Sequence, residues 1–279
     1  ISTMATTSIE EIGKLTNGPK LFQLYIHKDK GLTDNLIERS RKAGFNSMCL
    51  TVDAAVAGNR ERDRRTGFTT PPRLTFASLL SFALHPSWTF NHFFSEKFML
   101  ANIIHMTEKG TSIDKSVIDY INEQFDTAMN WKDAEYCVKK WNGPFAIKGV
   151  MSVEDAKKAI DIGCTAIMLS NHGGRQLDGS RAPFDHLAEI VDAVGDKIEV
   201  ILDGGVRRGT HVLKALALGA KACSFGKGYL FALGAAGQQG VEAILQKMKD
   251  EINRDMILMG CKSVKELNRS KVAFRKNQK

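Results

Sequence analysis

A histidine and an arginine stand three residues apart in the segment SNHGGRQLDG, which covers residues 170–179. The apolar run before it, Ala166–Leu169, is typical of a buried strand. Histidine can accept a proton near neutral pH, and arginine can bind a carboxylate through two parallel hydrogen bonds. His172 and Arg175 therefore indicate chemistry on a small carboxylic acid. Taken alone, the segment fits a glycine-rich turn with a surface histidine equally well.

Two further glycine-containing segments suit a phosphate group. Residues 203–209 (DGGVRRG) follow an apolar, strand-like run, and residues 224–228 (SFGKG) end the last such run. Glycines at the start of a helix expose backbone N–H groups that can bind phosphate, and barrel enzymes often bind phosphate after their last two strands. The spacing does not match GxGxxG, so a Rossmann-type dinucleotide site is not indicated.

The elements that must position these residues alternate along the chain. Strand-like runs lie at Leu21–Tyr25, Met48–Val52, Phe145–Ile147, Ala166–Leu169, Glu199–Leu202 and Ala222–Phe225. Helical patterns lie between most of them, at Thr33–Lys42, Val153–Ile162, Phe184–Val194 and Thr210–Leu218. This alternation predicts a parallel sheet, and the nearly continuous apolar strands predict a sheet covered on both faces or closed into a barrel.

Polar residues cluster after the strand-like runs, and (β/α)8 barrels build their active sites at that end of many strands. A doubly wound sheet would instead concentrate the site at one switch point. We therefore predict an α/β fold, a (β/α)8 TIM barrel that is incomplete at the N-terminus. Ile1–Met4 is a candidate seventh strand, and we expect the first barrel strand to precede Ile1 in a longer protein.

Size and composition narrow the class further. The 279 residues are 43% apolar, and we predict one barrel domain over residues 1–279. The net charge of +8 is concentrated at residues 262–279 without a nucleic-acid-binding motif, so we expect no nucleic-acid partner. The cysteines are scattered, which predicts buried thiols in a reducing compartment rather than disulfides or a metal site. No signal peptide is visible, and no apolar run approaches the roughly 18–20 residues of a membrane span.

An insertion at about residues 62–128 interrupts the alternation. After a basic start it is rich in aromatic residues, namely Phe76, Phe82, Trp88, Phe90, Phe93, Phe94 and Phe98. An insertion of this length is typical of a lid or an interaction surface, and its aromatic residues indicate a peripheral membrane contact or a partner face. The alternative is that these aromatic residues pack onto the barrel.

SNHGGRQLDG followed by LDGGVRRGTHVLKALALGA resembles the FMN-dependent α-hydroxy acid dehydrogenase/oxidase family, of glycolate oxidase and L-lactate dehydrogenase type. The similarity covers nearly the whole chain, and the HPSW element is most similar to the bacterial L-lactate dehydrogenase branch. The resemblance implies FMN-dependent oxidation of a lactate-like L-2-hydroxy acid to the 2-keto acid. Electrons would pass to a quinone, a cytochrome or oxygen. It also implies a homo-oligomer in the cytoplasm, or peripheral at the inner membrane face.

The resemblance also implies roles for the substrate-handling residues. His172 would be the active-site base, and Asp53 would hold its imidazole in the correct tautomer. Arg175, assisted by Arg60, would bind the substrate carboxylate. Tyr25 would hydrogen-bond the substrate oxygen and take part in catalysis.

For the cofactor, the resemblance implies that Lys148 lies at the N1/O2 edge of the flavin and stabilises its reduced form. Four residues would hydrogen-bond the flavin ring: Ser2, Gln23, Thr51 and Ser170. The ribityl and phosphate groups would be held by Asp203, Gly204, Gly205, Val206 and Arg207, with Gly226 and Lys227 completing the phosphate site. The family usually has arginine where this chain has Lys227, which removes the two-pronged contact to phosphate.

Two alternatives belong to other functional classes. One is a phosphate-binding barrel lyase in which Lys148 forms a Schiff base with a carbonyl substrate. The other is a non-catalytic fragment that binds a membrane surface or a partner protein through the aromatic insertion.

Overall fold

The chain folds into two compact units, each built from segments that are distant in sequence. The computed structural model describes residues 1–67, 75–94, 100–103 and 123–274. One unit comprises Ile1–Asn46 and Ala55–Ala128, and the other comprises Ser47–Ala54 and Met129–Lys279.

The order of elements follows the predicted alternation of strands and helices. The strands are β1 (Leu21–Leu24), β2 (Ser47–Thr51), β3 (Phe145–Val150), β4 (Ala166–Leu169), β5 (Glu199–Asp203) and β6 (Ala222–Ser224). The helices are α1 (Ile9–Leu15), α2 (Lys30–Lys42), α3 (Glu61–Thr66), α4 (Phe76–Leu84), α5 (Pro86–Phe94), α6 (Trp131–Trp141), α7 (Val153–Asp161), α8 (Pro183–Val194), α9 (Gly209–Ala217) and α10 (Lys227–Leu258). Single 3-10 turns follow at Val264–Glu266 and Arg269–Lys271. Each predicted strand-like run is therefore a strand, with small differences at its ends.

Strands β2 to β6 of the second unit pair in parallel and in chain order. All of β4 is buried, as its continuous apolar run predicts. Helices α7, α8 and α9 connect the successive strands from β3 to β6, which is the crossover pattern of a (β/α)8 barrel. In this register Thr51 lies beside Lys148, and Leu169 lies beside Leu202. The C-terminal ends of β2 to β5 therefore meet at one edge of the sheet.

In the first unit, α1 and α2 are joined by an ion pair and a shared asparagine. Arg39 donates two hydrogen bonds to the Glu10 carboxylate, at 2.7 and 2.8 Å, and a third to the Asn102 carbonyl oxygen. The Asn102 side chain accepts a hydrogen bond from the backbone N–H of Ile9. Ile1–Met4, the candidate seventh strand, is not a strand, because only Ser2 forms a bridge in this segment.

Helices α4 and α5 lie in the predicted insertion and have no buried residue. Phe76 and Phe94 are 84% and 85% exposed. Trp88 stacks on Phe82 and His92 of the same helix pair, so its ring contacts are local. Within the described residues, the aromatic side chains of α4 and α5 are therefore not buried. Phe98 lies outside the described residues.

All five cysteines are free thiols. Burial raises the pKa of Cys49 and of Cys164 to about 12, so both thiols stay protonated at neutral pH. Within the described ranges, none of the helices combines the length and the apolar character that a membrane crossing needs.

The buried His27 ring makes the first unit sensitive to acid. The side chain is 0% exposed, packs edge-to-face on Phe125, and has its pKa lowered by burial from 6.5 to about 4. The unfolded chain takes up a proton at this histidine near pH 6.5, whereas the folded chain does so only near pH 4. The contribution of neutral His27 to the free energy of unfolding is therefore fully present above pH 6.5 and is lost as the pH falls towards 4. The loss amounts to roughly 3 kcal/mol.

We therefore expect His27→Gln to flatten the fall in unfolding free energy between pH 7 and pH 4.5, as measured by urea denaturation. His85→Gln is the matched control, because His85 is an exposed histidine at the end of α4. Equal acid slopes for the parent protein and for His27→Gln would contradict this prediction.

Candidate active site

The central pair of the site is a histidine bonded to an aspartate. Asp53 follows β2 and His172 follows β4, and His172 Nδ1 lies 2.8 Å from Asp53 Oδ1. Their side chains are 23% and 13% exposed, for His172 and Asp53 respectively. Because an ionised carboxylate can only accept, the ring must donate from Nδ1. In the neutral ring Nε2 is then the basic nitrogen, which is the arrangement that a general base needs.

His172 has an unusual backbone conformation. Its φ of +57° lies in the left-handed region, and Gly173 and Gly174 follow it with φ of +66° and +71°. A non-glycine residue rarely adopts this region unless its surroundings hold it there. Here the backbone N–H of His172 donates to Ser170 Oγ at 3.0 Å while its ring bonds Asp53. Both bonds together fix the loop after β4.

Lys148 lies at the end of β3 between two carboxylates. Its Nζ donates to Ser170 Oγ at 2.8 Å, pairs with Asp203 Oδ2 at 3.1 Å, and is 4.0 Å from Asp53 Oδ2. Ser170 Oγ in turn donates to Asp203 Oδ2 at 2.6 Å. The hydroxyl of Ser170, which is 0% exposed, therefore contacts Lys148, Asp203 and the backbone of His172 at once. We call these five residues (Asp53, Lys148, Ser170, His172 and Asp203) the strand-end cluster.

Two residues that the sequence analysis did not single out support Asp53. Gln176 Nε2 donates to the Asp53 carbonyl oxygen at 3.1 Å. Gly149, with φ of +107°, lies so close that a Cβ there would be 2.9 Å from Asp53 Cβ. Gln176 stands inside SNHGGRQLDG, so the motif itself was the available signal. No pattern in the sequence points to the contact of Gly149.

The glycine loop at residues 203–209 lies against the histidine loop. Gly204 and Gly205 have φ of +92° and +73°, and a Cβ on Gly204 would be 3.8 Å from the backbone of Gly173. Lys227 Nζ donates to the Gly173 carbonyl oxygen at 2.8 Å. The second unit therefore brings the loops after β4, β5 and β6 together, as the sequence predicts. Val206 is buried, while Arg207 and Arg175 are exposed.

The remaining predicted residues belong to the first unit. Ser2 Oγ donates to Gln23 Oε1 at 2.6 Å, so these two side chains are brought together. Tyr25 stacks on Phe125 with ring centroids 4.6 Å apart. Arg60 is half-buried and directly precedes α3.

A histidine bonded to a carboxylate, an adjacent lysine and a glycine loop thus lie together at the strand ends of a parallel α/β sheet, an arrangement that is compatible with a cofactor-dependent barrel oxidoreductase. The model of the FMN-dependent dehydrogenase family matches residues 1–274. The chain belongs to this family.

Individual relatives cover nearly all of the chain. It is 41% identical to L-lactate oxidase from Nostoc sp. over 274 residues, which are 97% of this chain and 69% of that protein. It is 37% identical to L-lactate dehydrogenase from Vibrio cholerae, over 99% of this chain and 72% of that protein. Among solved structures, (S)-mandelate dehydrogenase, described as a monotopic membrane protein, matches with a TM-score of 0.90 and 32% identity, over 98% of this chain and 71% of that one.

These similarities confirm the predicted family, the FMN cofactor, the partial TIM barrel and the reaction class, which is oxidation of a 2-hydroxy acid. They do not favour a Schiff-base lyase or a non-catalytic fragment.

The residues present fit FMN. Thr51 Oγ1 is buried at the end of β2 and has no hydrogen-bond partner among the described residues, so it can bond a polar ring edge. Gly205 and Gly226 have open space where a Cβ would lie, which lets a phosphate approach the backbone. Arg207 and Lys227 bring positive charge to the same loops.

Proposed function

We propose that this protein oxidises a lactate-like L-2-hydroxy acid to the corresponding 2-keto acid, with His172 as the base. The observation that carries the proposal is the 2.8 Å bond between His172 Nδ1 and Asp53, beside Lys148 in the strand-end cluster. FMN supplies the acceptor of the two electrons when it is bound. Two of the relatives are named for L-lactate, which supports a lactate-like substrate.

In this proposal His172 Nε2 takes a proton from the substrate, and the Asp53 carboxylate stabilises the imidazolium that forms. Arg175 and Arg60 bind the substrate carboxylate, and Tyr25 donates to the substrate oxygen. Lys148 offers positive charge where the reduced flavin carries negative charge. Ser2, Gln23, Thr51 and Ser170 bond the flavin ring.

For the rest of the cofactor, the residues at 203–207 hold the ribityl and phosphate groups together with Gly226 and Lys227. We further propose that electrons leave to a quinone, a cytochrome or oxygen. The protein would work as a homo-oligomer in the cytoplasm, or at the inner membrane face.

The visible spectrum of the purified protein before and after anaerobic L-lactate tests this function. We expect a yellow protein that L-lactate bleaches and D-lactate does not. Bleaching by mandelate or glycolate but not by lactate would support oxidation of a 2-hydroxy acid and show that the proposed lactate-like substrate is wrong. A protein that stays colourless when FMN is added would overturn the cofactor assignment.

Arg175→Lys should raise KM for L-lactate by about tenfold or more, with a smaller effect on flavin binding. Lysine keeps the charge but loses the two parallel hydrogen bonds to the carboxylate, and misplacement of the substrate slows the reaction. Steady-state kinetics measures the effect. Arg181→Lys, in the same loop region, is the matched control. An unchanged kcat/KM for Arg175→Lys would place the carboxylate-binding group elsewhere.

We also propose that α4 and α5 form a membrane contact, because their apolar side chains are exposed and α3, just before them, carries basic residues. The (S)-mandelate dehydrogenase relative is described as a monotopic membrane protein, which supports this proposal. Burial of a phenylalanine side chain in the membrane contributes about 1.5–3 kcal/mol to the free energy of binding.

The double variant Phe76→Ser, Phe94→Ser should therefore bind anionic phospholipid vesicles at least tenfold more weakly in a co-sedimentation assay. Phe231→Ser is the matched control, since Phe231 is 76% exposed on α10. Equal sedimentation of the double variant and the parent protein would contradict the membrane contact.

A further inference from the structure

Glu251 is a buried carboxylate outside the strand-end cluster. It lies on α10, is 5% exposed, and accepts a hydrogen bond at Oε2 from the backbone N–H of Gly209 at 2.8 Å. Its Oε1 accepts from Arg208 Nε at 2.7 Å. The hydrogen bond from the Gly209 backbone, with a smaller effect from Arg208, lowers the pKa of Glu251, so the carboxylate stays charged at neutral pH.

The backbones of α9 and α10 are in contact at this point. A Cβ on Gly209 would lie 2.7 Å from Glu251 Cβ, from Ile252 N and from Met248 O. A side chain at this position would therefore push the two helices apart. Gly209 is both the last residue of the glycine loop and the first residue of α9.

The glycine loop is consequently fixed at both ends. At its start, Asp203 bonds Ser170 and Lys148. At its end, Arg208 and Gly209 bond Glu251. Between these two ends, nothing lies within 4 Å of the position that a Cβ on Gly205 would take, which leaves room for a ligand at the loop backbone.

A helix N-terminus attracts an anion through its unpaired N–H groups and its dipole. In α9 the first of these N–H groups, that of Gly209, already bonds the chain's own carboxylate. A phosphate near this loop is then bound by the loop backbone, Arg207 and Lys227 and not by the Gly209 N–H.

We propose that Glu251 is a positioning residue for the flavin phosphate, acting through the glycine loop without contacting the cofactor. The inference rests on the proposed role of residues 203–207 in phosphate binding. A direct electrostatic effect of Glu251 and a positioning role predict opposite changes in FMN affinity when the charge of Glu251 is removed. Removing a negative charge near a phosphate should tighten FMN binding, whereas loss of the anchored loop should weaken it.

Binding of FMN and of riboflavin to the flavin-free protein separates these effects, because riboflavin has the same ring and lacks the phosphate. We expect Glu251→Gln to weaken FMN binding about tenfold, the size of a lost helix cap, and to leave riboflavin binding within about twofold. Gly209→Ala, which displaces the same contact without changing a charge, should give the same selective loss. Quenching of flavin fluorescence measures both dissociation constants.

Three results would overturn the inference. These are tighter FMN binding by Glu251→Gln, equal losses for FMN and riboflavin in both variants, or a parent protein that binds the two flavins equally well. The last result would also remove the phosphate assignment of the glycine loop. A parent protein that binds FMN tightly but is not reduced by any 2-hydroxy acid would refute the proposed reaction and leave the Glu251 comparison valid. If Glu251→Gln does not fold, the comparison of FMN and riboflavin binding by Gly209→Ala tests the inference instead.

Discussion

Replacing His172 by glutamine should reduce the rate of flavin reduction by L-lactate by about 10²–10⁴-fold while FMN stays bound. Glutamine can still bond Asp53, but it cannot take up a proton at neutral pH. The loss should therefore appear in the reduction step and not in the absorbance of the bound flavin. Anaerobic stopped-flow measurement of bleaching gives the rate directly.

The matched control for this prediction is His186→Gln, since His186 lies on α8 and pairs with Glu189 rather than with the cluster. If His172→Gln were reduced as fast as the parent protein, His172 would not be the base. Loss of FMN from His172→Gln would instead show that the residue supports the cofactor site.

Replacing Gly149 by alanine should damage both stability and turnover. The Cβ would lie 2.9 Å from Asp53 Cβ, 3.0 Å from Asp53 N and 3.1 Å from Asp53 Cγ, at a φ of +107° that side chains rarely adopt. Strain of this kind costs about 1–3 kcal/mol, and the clash displaces the carboxylate that orients His172. We expect the unfolding free energy to fall by at least that amount and flavin reduction to slow by about tenfold or more.

Gly260→Ala separates strain from the clash, because Gly260 has φ of +68° with nothing within 4 Å of its Cβ. This control should lose stability and keep its activity. Equal activities of Gly149→Ala and Gly260→Ala would show that the close approach of Gly149 to Asp53 does not affect flavin reduction.

Much of the sheet could be predicted from the sequence because its strands are short apolar runs between turns. The end of β3 was missed, since Lys148 and Gly149 break the apolar pattern while the backbone pairing continues to Val150. Helices α4 and α5 were not predicted either. Their apolar residues do not form one buried stripe, and in the structure none of them is buried.

The site was predictable where its residues share a motif or end a strand. His172 and the glycine loop, which the structure brings together, fall in this group, while the role of Arg175 stays a prediction. The partner of His172 came from the resemblance, and its distance came only from the structure. Gly149 and Glu251 contact residues far away in sequence, and no local pattern encodes such a contact.

The strand-end cluster also determines how late in folding the candidate active site can form. The bond between His172 and Asp53 joins residues 119 positions apart, and the bond between Ser170 and Asp203 joins residues 33 apart. Contacts between such distant residues form late in folding, because the entropy cost of closing a long loop comes before the contact can stabilise the chain. Asp53 follows the first of these strands and Asp203 ends the last. Strands β2 to β4 must therefore pair before Asp53 can orient the His172 ring, and β5 must join them before Asp203 can contact Ser170 and Lys148. A nascent chain that ends before β5 would hold both His172 and Asp53 and still lack Asp203, the second carboxylate that contacts Lys148.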